Sequence, residues 1–521
     1  MRASRLLVAC AAIAVPVLAL ASSDAGDFLR FATGAHVAAE PAPMGFLSNV
    51  FEDHMVLQRG PKSSKVWGTT SPGASVTAEL RGAALHQYVD ATVDETGLWV
   101  VELPPVEASM DAFTLTLKSS SGETAKIRDV LFGDVYICGG QSNMQFSLES
   151  NANSTAEIKR ADGYGHLRLF TVGQGSKSAL PLDSLQTVEQ HWTVSNSSTV
   201  HGNGGMGYFS SVCWFFGVEI SDALGGTVPL GLISDNWGGT KVEKWATSAA
   251  FEACGRSPEK DDTSLYNAMI NPFTIGPMAL TGFTWYQGEA NTGDQASADD
   301  YACLFPAMIE AWRFAFEDVF LYFGFVQLST WCAEGVPLLR EAQMSALKLK
   351  RVGYATNADH GAGCNIHPPP KQFCAKRLAK SALAIVYGHS TPRRSPNYVS
   401  ANATVENGIA RATVTLRDVG DESLRTDVLP ANYLYDAIKG NFSFDCDANA
   451  GVCAWASLTL EDGSVLNATV TAHGGALLLE AACAQAGARV VSTSYAFGAV
   501  PMMNAYSESG LPVLPWSAKL E

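Results

Sequence analysis

The chain has 521 residues, of which 47% are hydrophobic and 17% are charged, a composition typical of folded globular proteins and not of disordered ones. Its formal net charge of −16 argues against a surface that binds nucleic acids or anionic membranes, which would need clustered lysines and arginines. This length predicts about three domains, because one domain takes roughly 150 residues.

The first 21 residues have the composition of an export signal. Arg2 and Arg5 precede an apolar run at residues 6–20, and residues 19–21 match a small-residue cleavage site, so the mature chain is expected to begin at residue 22. A membrane anchor is the alternative, but the run is shorter than the roughly 20 apolar residues that span a bilayer. No later stretch is apolar enough to span one, and we expect a secreted or lysosome-like protein.

The cysteine and glycosylation patterns agree with export. Removal of Cys10 with the signal leaves ten of the eleven cysteines, an even number that suits an oxidising compartment. Cys446 and Cys453 flank a turn-like stretch and are predicted to form a disulfide, whereas Cys138 and Cys213 lie in apolar runs and are predicted to be buried thiols. Glycosylation sequons occur at Asn153, Asn196, Asn402, Asn441 and Asn467. We expect no metal site and no cofactor.

Three regions of different periodicity predict the domain organisation. Residues 45–128 contain short runs of alternating apolar and polar residues between turn signals, which predict an N-terminal β-sandwich. Residues 129–395 alternate apolar strands with segments of helical period, which predicts an α/β domain, a parallel sheet with helices on both faces. The pattern returns to β in residues 396–521, so a C-terminal β-sandwich is expected. The helical segments are residues 207–224, 300–318 and 371–387.

The strongest local motif is Gly-Gly-Gln-Ser-Asn-Met at residues 139–144, directly after the strand that ends at Cys138. A strand that passes through a glycine turn into a helix presents a serine hydroxyl at the carboxyl edge of a parallel sheet. Ser142 is therefore the candidate nucleophile, and the amides around it are candidate oxyanion donors. The alternative is an ordinary strand-to-helix turn in which the serine caps the helix.

Serine needs a base, and His367 is the candidate among ten histidines. It precedes three prolines that stiffen its loop, which suits an imidazole that must be held in one place. A lone histidine before prolines is otherwise more often a residue without a catalytic role.

Two more strand ends carry polar groups. Residues 285–291 offer the Gln287 side-chain amide to an oxyanion and Glu289 as a residue that orients its neighbours. Residues 236–240 follow another strand and offer backbone N–H groups, those of Gly238 and Gly239 among them. Four strand-end signals with one chemical logic indicate a hydrolytic site more strongly than any one of them.

As a set, these motifs resemble the sialate O-acetylesterase family of SGNH-type hydrolases. The resemblance spans residues 45–517, almost the whole mature chain, and implies a flavodoxin-like hydrolase domain. It rests on Gly-Gly-Gln-Ser-Asn-Met, Trp-Gly-Gly-Thr, Trp-Tyr-Gln-Gly-Glu-Ala-Asn and Ile-His-Pro-Pro-Pro-Lys. It also implies a disulfide between Cys254 and Cys303.

Carried over to this chain, the resemblance implies that Ser142 attacks an acetyl carbonyl while His367 acts as general base and then as general acid. The oxyanion would be held by the Ser142 amide, by Gly238 or Gly239, and by Gln287. The supporting polar residues would be Gln141, Glu289, Asn291 and Asn365.

The chain departs from the family pattern at Asn365, where many relatives have an aspartate two residues before the histidine. An amide does not stabilise imidazolium as a carboxylate does. Two explanations stay open. Either the site is a Ser–His dyad oriented by a backbone carbonyl, or Asp359, the nearest upstream carboxylate, takes the place of the missing one.

The expected partner is an acetylated sugar or glycan, with no nucleic acid and no membrane. O-acetylated sialic acid is the leading substrate, and acetylated xylan or pectin is the alternative within the same chemistry. An inactive sugar-binding homologue is the alternative from another class, favoured by Asn365 and opposed by the retained Ser142, Gln287 and His367.

Overall fold

The computed structural model describes residues 43–82, 84–202, 208–420, 423–427, 453–485 and 487–520. The predicted export signal lies outside these residues, and so does Cys446. Within the described ranges, no helix combines the length and the apolar character that a membrane span requires.

The described chain contains 25 strands and eight α-helices. The strands are β1 Val56–Gln58, β2 Lys65–Thr69, β3 Val76–Arg81, β4 His86–Asp90, β5 Thr92–Val93, β6 Leu98–Glu102, β7 Ser109–Ser119, β8 Thr124–Gly140, β9 Leu167–Val172, β10 Val188–Val194, β11 Leu230–Asn236, β12 Gly282–Tyr286, β13 Tyr322–Gln327, β14 Val352–Thr356, β15 Asn397–Glu406, β16 Ile409–Arg417, β17 Leu424–Arg425, β18 Cys453–Ala454, β19 Ala456–Leu460, β20 Val465–His473, β21 Ala476–Ala482, β22 Val490–Tyr495, β23 Val500–Pro501, β24 Tyr506–Ser507 and β25 Trp516–Lys519. The helices are α1 Ser142–Gln145, α2 Ser154–Arg160, α3 Ser197–Val200, α4 Ser211–Ala223, α5 Ser248–Ala253, α6 Gln295–Ala315, α7 Val336–Gln343 and α8 Gln372–Ile385.

The central sheet has the strand order β10-β9-β11-β8-β12-β13-β14. All of these strands are parallel to their neighbours except β10, which is antiparallel to β9. In β9, β11, β12, β13 and β14 every residue is buried and most residues are apolar, as expected for strands covered on both faces. The middle strand β8 carries the serine motif at its carboxyl end. The chain leaves β8 towards one edge of the sheet and leaves β12 towards the other, so a ligand crevice is expected between their carboxyl ends.

Helices cover both faces of this sheet. In β13, Gly324 faces Leu378 of α8, while Phe323 and Phe325 on either side of it contact the Phe305 ring of α6. Because successive side chains of a strand point to opposite faces, α6 and α8 lie on opposite sides of the sheet. The predicted α/β fold class is confirmed.

The N-terminal β-sandwich is built on the same long strand as the central sheet. The first half of β8 pairs with β7, which pairs with β3, and β2, β5 and β6 form a second small sheet. The predicted boundary between residues 128 and 129 falls inside β8, so one strand belongs to both layers. Trp67 of β2 packs directly against Gly276, where a Cβ atom would lie 2.7 Å from its ring. The sandwich therefore packs directly on the α/β layer.

The C-terminal region forms a separate antiparallel sheet of seven strands in the order β15-β16-β21-β20-β19-β22-β25, with its own apolar core. Polar contacts join it to the α/β domain. Tyr506 donates its hydroxyl to Asp359 at 3.0 Å, and Arg340 donates to the Gly498 carbonyl at 2.8 Å. The predicted architecture, an α/β domain between two β domains, is present.

Three disulfides join described cysteines, and one of them corrects a prediction. Cys138 and Cys213 are bonded to each other and are not free thiols. Hydrophobicity gave no sign of this, because the pairing arises when α4 packs onto β8. The Cys254–Cys303 pair implied by the family resemblance is confirmed. The third disulfide, Cys332–Cys364, was not predicted.

Candidate active site

Ser142 and His367 meet at the carboxyl end of the central strand β8. The Ser142 Oγ lies 2.8 Å from the His367 Nε2, a hydrogen-bond distance. Ser142 is 7% exposed and is the first residue of α1. Gly140 allows the turn from β8 into α1, because a Cβ at this residue would lie only 2.2 Å from the Tyr286 carbonyl oxygen of the neighbouring strand. The structure thus brings the candidate nucleophile Ser142 and the candidate base His367 into contact.

The Gln141 side chain fixes the turn that carries the serine. Its Oε1 accepts hydrogen bonds from the backbone amides of Gly288 and Ala290, at 3.3 and 3.1 Å, and from the Gln287 side chain at 3.2 Å. All of these groups belong to the turn after β12. The two strand ends that flank the site are therefore tied together directly beneath Ser142.

The Gln287 side chain helps to tie the two strand ends together and does not face an oxyanion, which corrects the sequence-based expectation. It is fully buried, and its Nε2 donates to Gln141, to the Thr240 carbonyl at 3.1 Å and to Asn291 at 2.8 Å. Its Oε1 accepts from Tyr301. Since the amide protons are already shared among buried acceptors, Gln287 holds the site together from within.

The predicted supporting residue Asn291 joins two loops. Its Oδ1 also accepts from the Val242 amide at 2.9 Å, and its Nδ2 donates to Glu243 at 2.8 Å. The loop that carries Gly238 and Gly239 is thereby anchored to the turn after β12.

Gly238 packs against the nucleophile. A Cβ at Gly238 would lie 3.2 Å from the Ser142 Cβ, so the loop approaches the serine as closely as a glycine permits. The Gly238 amide donates to Gln145 Oε1 at 2.8 Å and is not available as an oxyanion donor in this arrangement. Within the described part of the chain, the Ser142 and Gly239 amides have no hydrogen-bond acceptor. Of the oxyanion donors predicted from the sequence, these two amides are the ones that remain.

Behind the serine, Asn143 connects three buried groups. Its Nδ2 donates to Glu289 Oε1 and, at 2.9 Å, to the Ile366 carbonyl, while its Oδ1 accepts from the Lys371 Nζ. Glu289 and Lys371 are both buried. The residue next to the nucleophile therefore contacts the residue next to the base.

We call residues 357–371, between β14 and α8, the histidine loop. The Asn365 side chain accepts a hydrogen bond from the His367 backbone N–H at 2.9 Å, so it shapes the loop and does not contact the imidazole ring. The Ala152 amide donates to the Pro369 carbonyl, and the Cys332–Cys364 disulfide ties the loop to the segment after β13. Several anchors thus hold His367 in place.

Asp359 does not orient His367, which corrects the second open explanation. Arg377 grips both of its carboxylate oxygens, at 2.6 and 2.8 Å, and Tyr506 and His360 contact it as well. A buried carboxylate is stable only when it is paired, and the arginine on α8 supplies the partner. Among the described residues, no carboxylate oxygen lies within 4.0 Å of a His367 ring nitrogen.

The imidazole of His367 is held in its neutral form. Burial, together with the smaller effect of the nearby Lys371 charge, lowers the pKa of His367 to about 4. A neutral imidazole can accept the serine proton, so the site is poised for base catalysis throughout the neutral and mildly acidic range.

Sequence reasoning gave no role to several residues that build this site. Asn143 and Lys371 belong to the sequence motifs but had no role assigned to them, and Gln145 and Arg377 lie outside the motifs. One signal for Lys371 and Arg377 was available: both are basic residues on the side of the predicted helix at 371–387 that otherwise carries apolar residues. Charged residues on such a face need buried partners.

The comparisons with known proteins agree with this geometry. Residues 132–379 match the family described as carbohydrate esterase, sialic acid-specific acetylesterase. The sialate O-acetylesterases of Homo sapiens and Mus musculus are 33% and 31% identical to this chain over 396 and 412 residues, which cover 67% of this chain and 73% and 74% of theirs. A solved carbohydrate acetylesterase from Xanthomonas citri is 28% identical with a TM-score of 0.74, covering 91% of this chain and 99% of that one. The chain is therefore a carboxylic ester hydrolase and belongs to the sialate O-acetylesterase family of carbohydrate esterases.

Proposed function

We propose that the protein hydrolyses O-acetyl esters of sugars through an acetyl-enzyme, with Ser142 as nucleophile and His367 as base. The observation that carries the proposal is the 2.8 Å contact between Ser142 Oγ and His367 Nε2 at the end of the central strand. A nucleophile that is hydrogen-bonded to a buried neutral base is the arrangement that acyl transfer needs.

In the first half-reaction, Ser142 Oγ gives its proton to His367 Nε2 and bonds to the acetyl carbonyl carbon. The negative charge that develops on the carbonyl oxygen is stabilised by the Ser142 and Gly239 amides. His367 returns the proton to the sugar oxygen as the ester bond breaks. Water then gives a proton to His367 and attacks the acetyl carbonyl carbon. His367 passes this proton to Ser142 Oγ as the bond between Ser142 and the acetyl group breaks, which releases acetate and restores the free serine.

For the substrate, we propose an acidic sugar, with O-acetylated sialic acid as the first choice. The supporting observation is the side chain of Lys177, whose ammonium lies 5.1 Å from the centre of the Trp237 ring, one residue before the Gly238 that packs on Ser142. Lys177 and Lys241 are exposed, and no carboxylate of a described residue is within 4.0 Å of either. Lys177 lies over Trp237, and Lys241 follows the loop at residues 236–240 that contacts Ser142. In a chain with a net charge of −16, two cations without an ion-pair partner at this loop favour a substrate that carries a carboxylate.

Lys177→Gln should raise KM for 9-O-acetyl sialic acid by about three- to fivefold, because one charge-assisted contact at an exposed site is lost. The KM for p-nitrophenyl acetate, which has no carboxylate, should change less than about twofold. The matched control is Lys376→Gln, an exposed lysine on α8. Acetate release is measured on 9-O-acetyl sialic acid, acetylated pectin and acetylated xylan.

Faster hydrolysis of neutral xylan than of both acidic substrates would refute the acidic-sugar assignment. A protein that releases acetate from none of these substrates but still binds acetylated glycans would refute the hydrolytic function itself.

We also propose that the protein is exported. The support is the predicted signal at residues 1–21 together with the three disulfides, which persist in oxidising compartments. When the full chain is expressed in a eukaryotic host, N-terminal sequencing of the protein from the medium should begin at residue 22. Leu18→Arg, which interrupts the apolar run, should abolish secretion. A full-length chain in the cytosol with reduced cysteines would contradict export.

A further inference from the structure

The position of the Lys371 side chain lowers the stability of the folded protein, so stability does not explain why a lysine lies there. The side chain is fully buried, and an ammonium loses its hydration on burial. Lys371 also occupies the N-cap position of α8, where the positive end of the helix dipole disfavours a cation, and its side chain makes no capping bond. Burial lowers the pKa of Lys371 to about 7. A residue at such a position requires a role that offsets these costs.

Lys371 is not accessible to substrate. Its Nζ donates to Asn143 Oδ1, and the rings of Phe146 and Tyr286 lie 4.5 and 5.7 Å from it. The aromatic faces solvate the charge in place of water. Among the described residues, Asn143, the neighbour of the nucleophile, is thus the one polar side chain to which the Lys371 ammonium donates a hydrogen bond.

Lys371 determines the orientation of the Asn143 amide. The oxygen faces the ammonium, so both N–H groups point away from it, one to Glu289 and the other to the Ile366 carbonyl. A flipped amide would place N–H groups against a cation. Glu289 pulls on the opposite end of the same amide, so the two buried groups fix its orientation together.

The Ile366 carbonyl is one residue before the base. The hydrogen bond from Asn143 therefore links the backbone at Ser142 to the backbone at His367, across the gap that the Oγ–Nε2 contact spans. The described carboxylates do not contact the His367 ring, so the imidazole depends on its loop for orientation.

We propose that Lys371 is a positioning residue: acting through Asn143, its ammonium fixes the Ile366 carbonyl and so holds His367 in line with Ser142 without a carboxylate. The inference rests on the proposed Ser142–His367 mechanism.

The other titratable groups around the network are Glu289 from the turn after β12, Tyr286 from β12 and Cys374 from α8. Burial raises the pKa of each of these three groups.

The test measures steady-state kinetics of the full chain on p-nitrophenyl acetate from pH 3 to 9, and kcat is compared at about pH 5, where Lys371 is protonated. Lys371→Met should lower kcat by about 10²-fold with KM within about twofold, because a small displacement of the base costs rate and not binding. Lys371→Arg, which keeps a cation, should recover most of this loss. Lys376→Met, an exposed lysine on the same helix, is the matched control.

The acid limb of kcat/KM separates positioning by the cation from general support of the fold. The wild-type limb should lie near pH 4, the pKa of His367. Removal of a neighbouring positive charge raises the pKa of an imidazole, so the limb should move upward by about one pH unit in Lys371→Met. It should stay in place in Lys371→Arg.

A double-mutant cycle tests the route through Asn143. If Lys371 acts through Asn143, Asn143→Ala/Lys371→Met should be no slower than the slower single variant. A kcat within threefold of wild type in Lys371→Met, or losses that multiply, would overturn the proposal. Asn143→Ala provides the same test without a change of charge if Lys371→Met fails to fold, since wild-type kcat in that variant also overturns it. Activity that survives Ser142→Ala would instead refute the mechanism on which the inference rests.

Discussion

Ser142→Ala should lower kcat/KM for acetyl ester hydrolysis by about 10⁴-fold or more, the largest effect expected for a single substitution in this protein. Loss of the serine removes the atom that bonds to the acetyl group, and only binding and oxyanion stabilisation remain. His367→Ala should cause a loss of similar size, since Ser142 is a weak nucleophile without a base.

The two residues act as a unit, so Ser142→Ala/His367→Ala should be no slower than either single variant. The control is Ser154→Ala, which changes a serine at the first position of the following helix, α2. Acetate release and p-nitrophenol release are both measured, with circular dichroism to show that each variant is folded. A folded Ser142→Ala protein with more than a tenth of wild-type activity would eliminate Ser142 as the nucleophile.

Asp359→Asn should lower the free energy of unfolding by about 3–5 kcal/mol, because it leaves the buried Arg377 guanidinium without its carboxylate. Asp359→Asn/Arg377→Met, which removes both charges, should recover part of the loss. The surface pair Arg411–Glu480 is the control, and Glu480→Gln should cost less than about 1 kcal/mol. Urea unfolding measures all of these differences.

The pH dependence of this effect follows from the carboxyl group. Burial by itself would raise the pKa of Asp359, but the charges of Arg377 and His360 outweigh burial and hold the pKa below its ordinary range. A carboxyl whose pKa is lower in the folded state stabilises the fold above its unfolded pKa of about 4, and this stabilisation is lost as the pH falls further. The stability difference between wild type and Asp359→Asn should therefore shrink below about pH 4.

The same variant distinguishes a structural role from a catalytic one. If Asp359 oriented His367, Asp359→Asn would keep its stability and lose about 10⁴-fold in kcat, as in the Ser-His-Asp proteases that the comparison comes from. The contacts with Arg377 and Tyr506 lead us to expect the opposite pattern: lower stability with kcat reduced far less.

The sequence by itself determined the order of the layers and the place of the nucleophile. Alternating and continuous apolar runs separate strands covered on one face from strands covered on both, which distinguished the flanking β regions from the parallel sheet. A glycine turn after a continuous apolar strand placed Ser142 at the carboxyl edge of the sheet, and three prolines marked the loop of His367. These features depend on neighbouring residues in the sequence, so they can be recognised without knowledge of the three-dimensional structure.

The tertiary structure alone decided which polar groups meet. Asp359 was the nearest upstream carboxylate to His367 in sequence, but helix α8 brings Arg377 to it and the C-terminal region brings Tyr506. Gln287 lies at a strand end like an oxyanion donor, yet the loop at Thr240 and the turn at Asn291 take up its amide protons. Cys138 and Cys213 are 75 residues apart and pair because α4 packs on β8. Hydrogen bonds, ion pairs and disulfides depend on distances of a few ångströms between remote segments, and packing sets those distances while local sequence patterns do not.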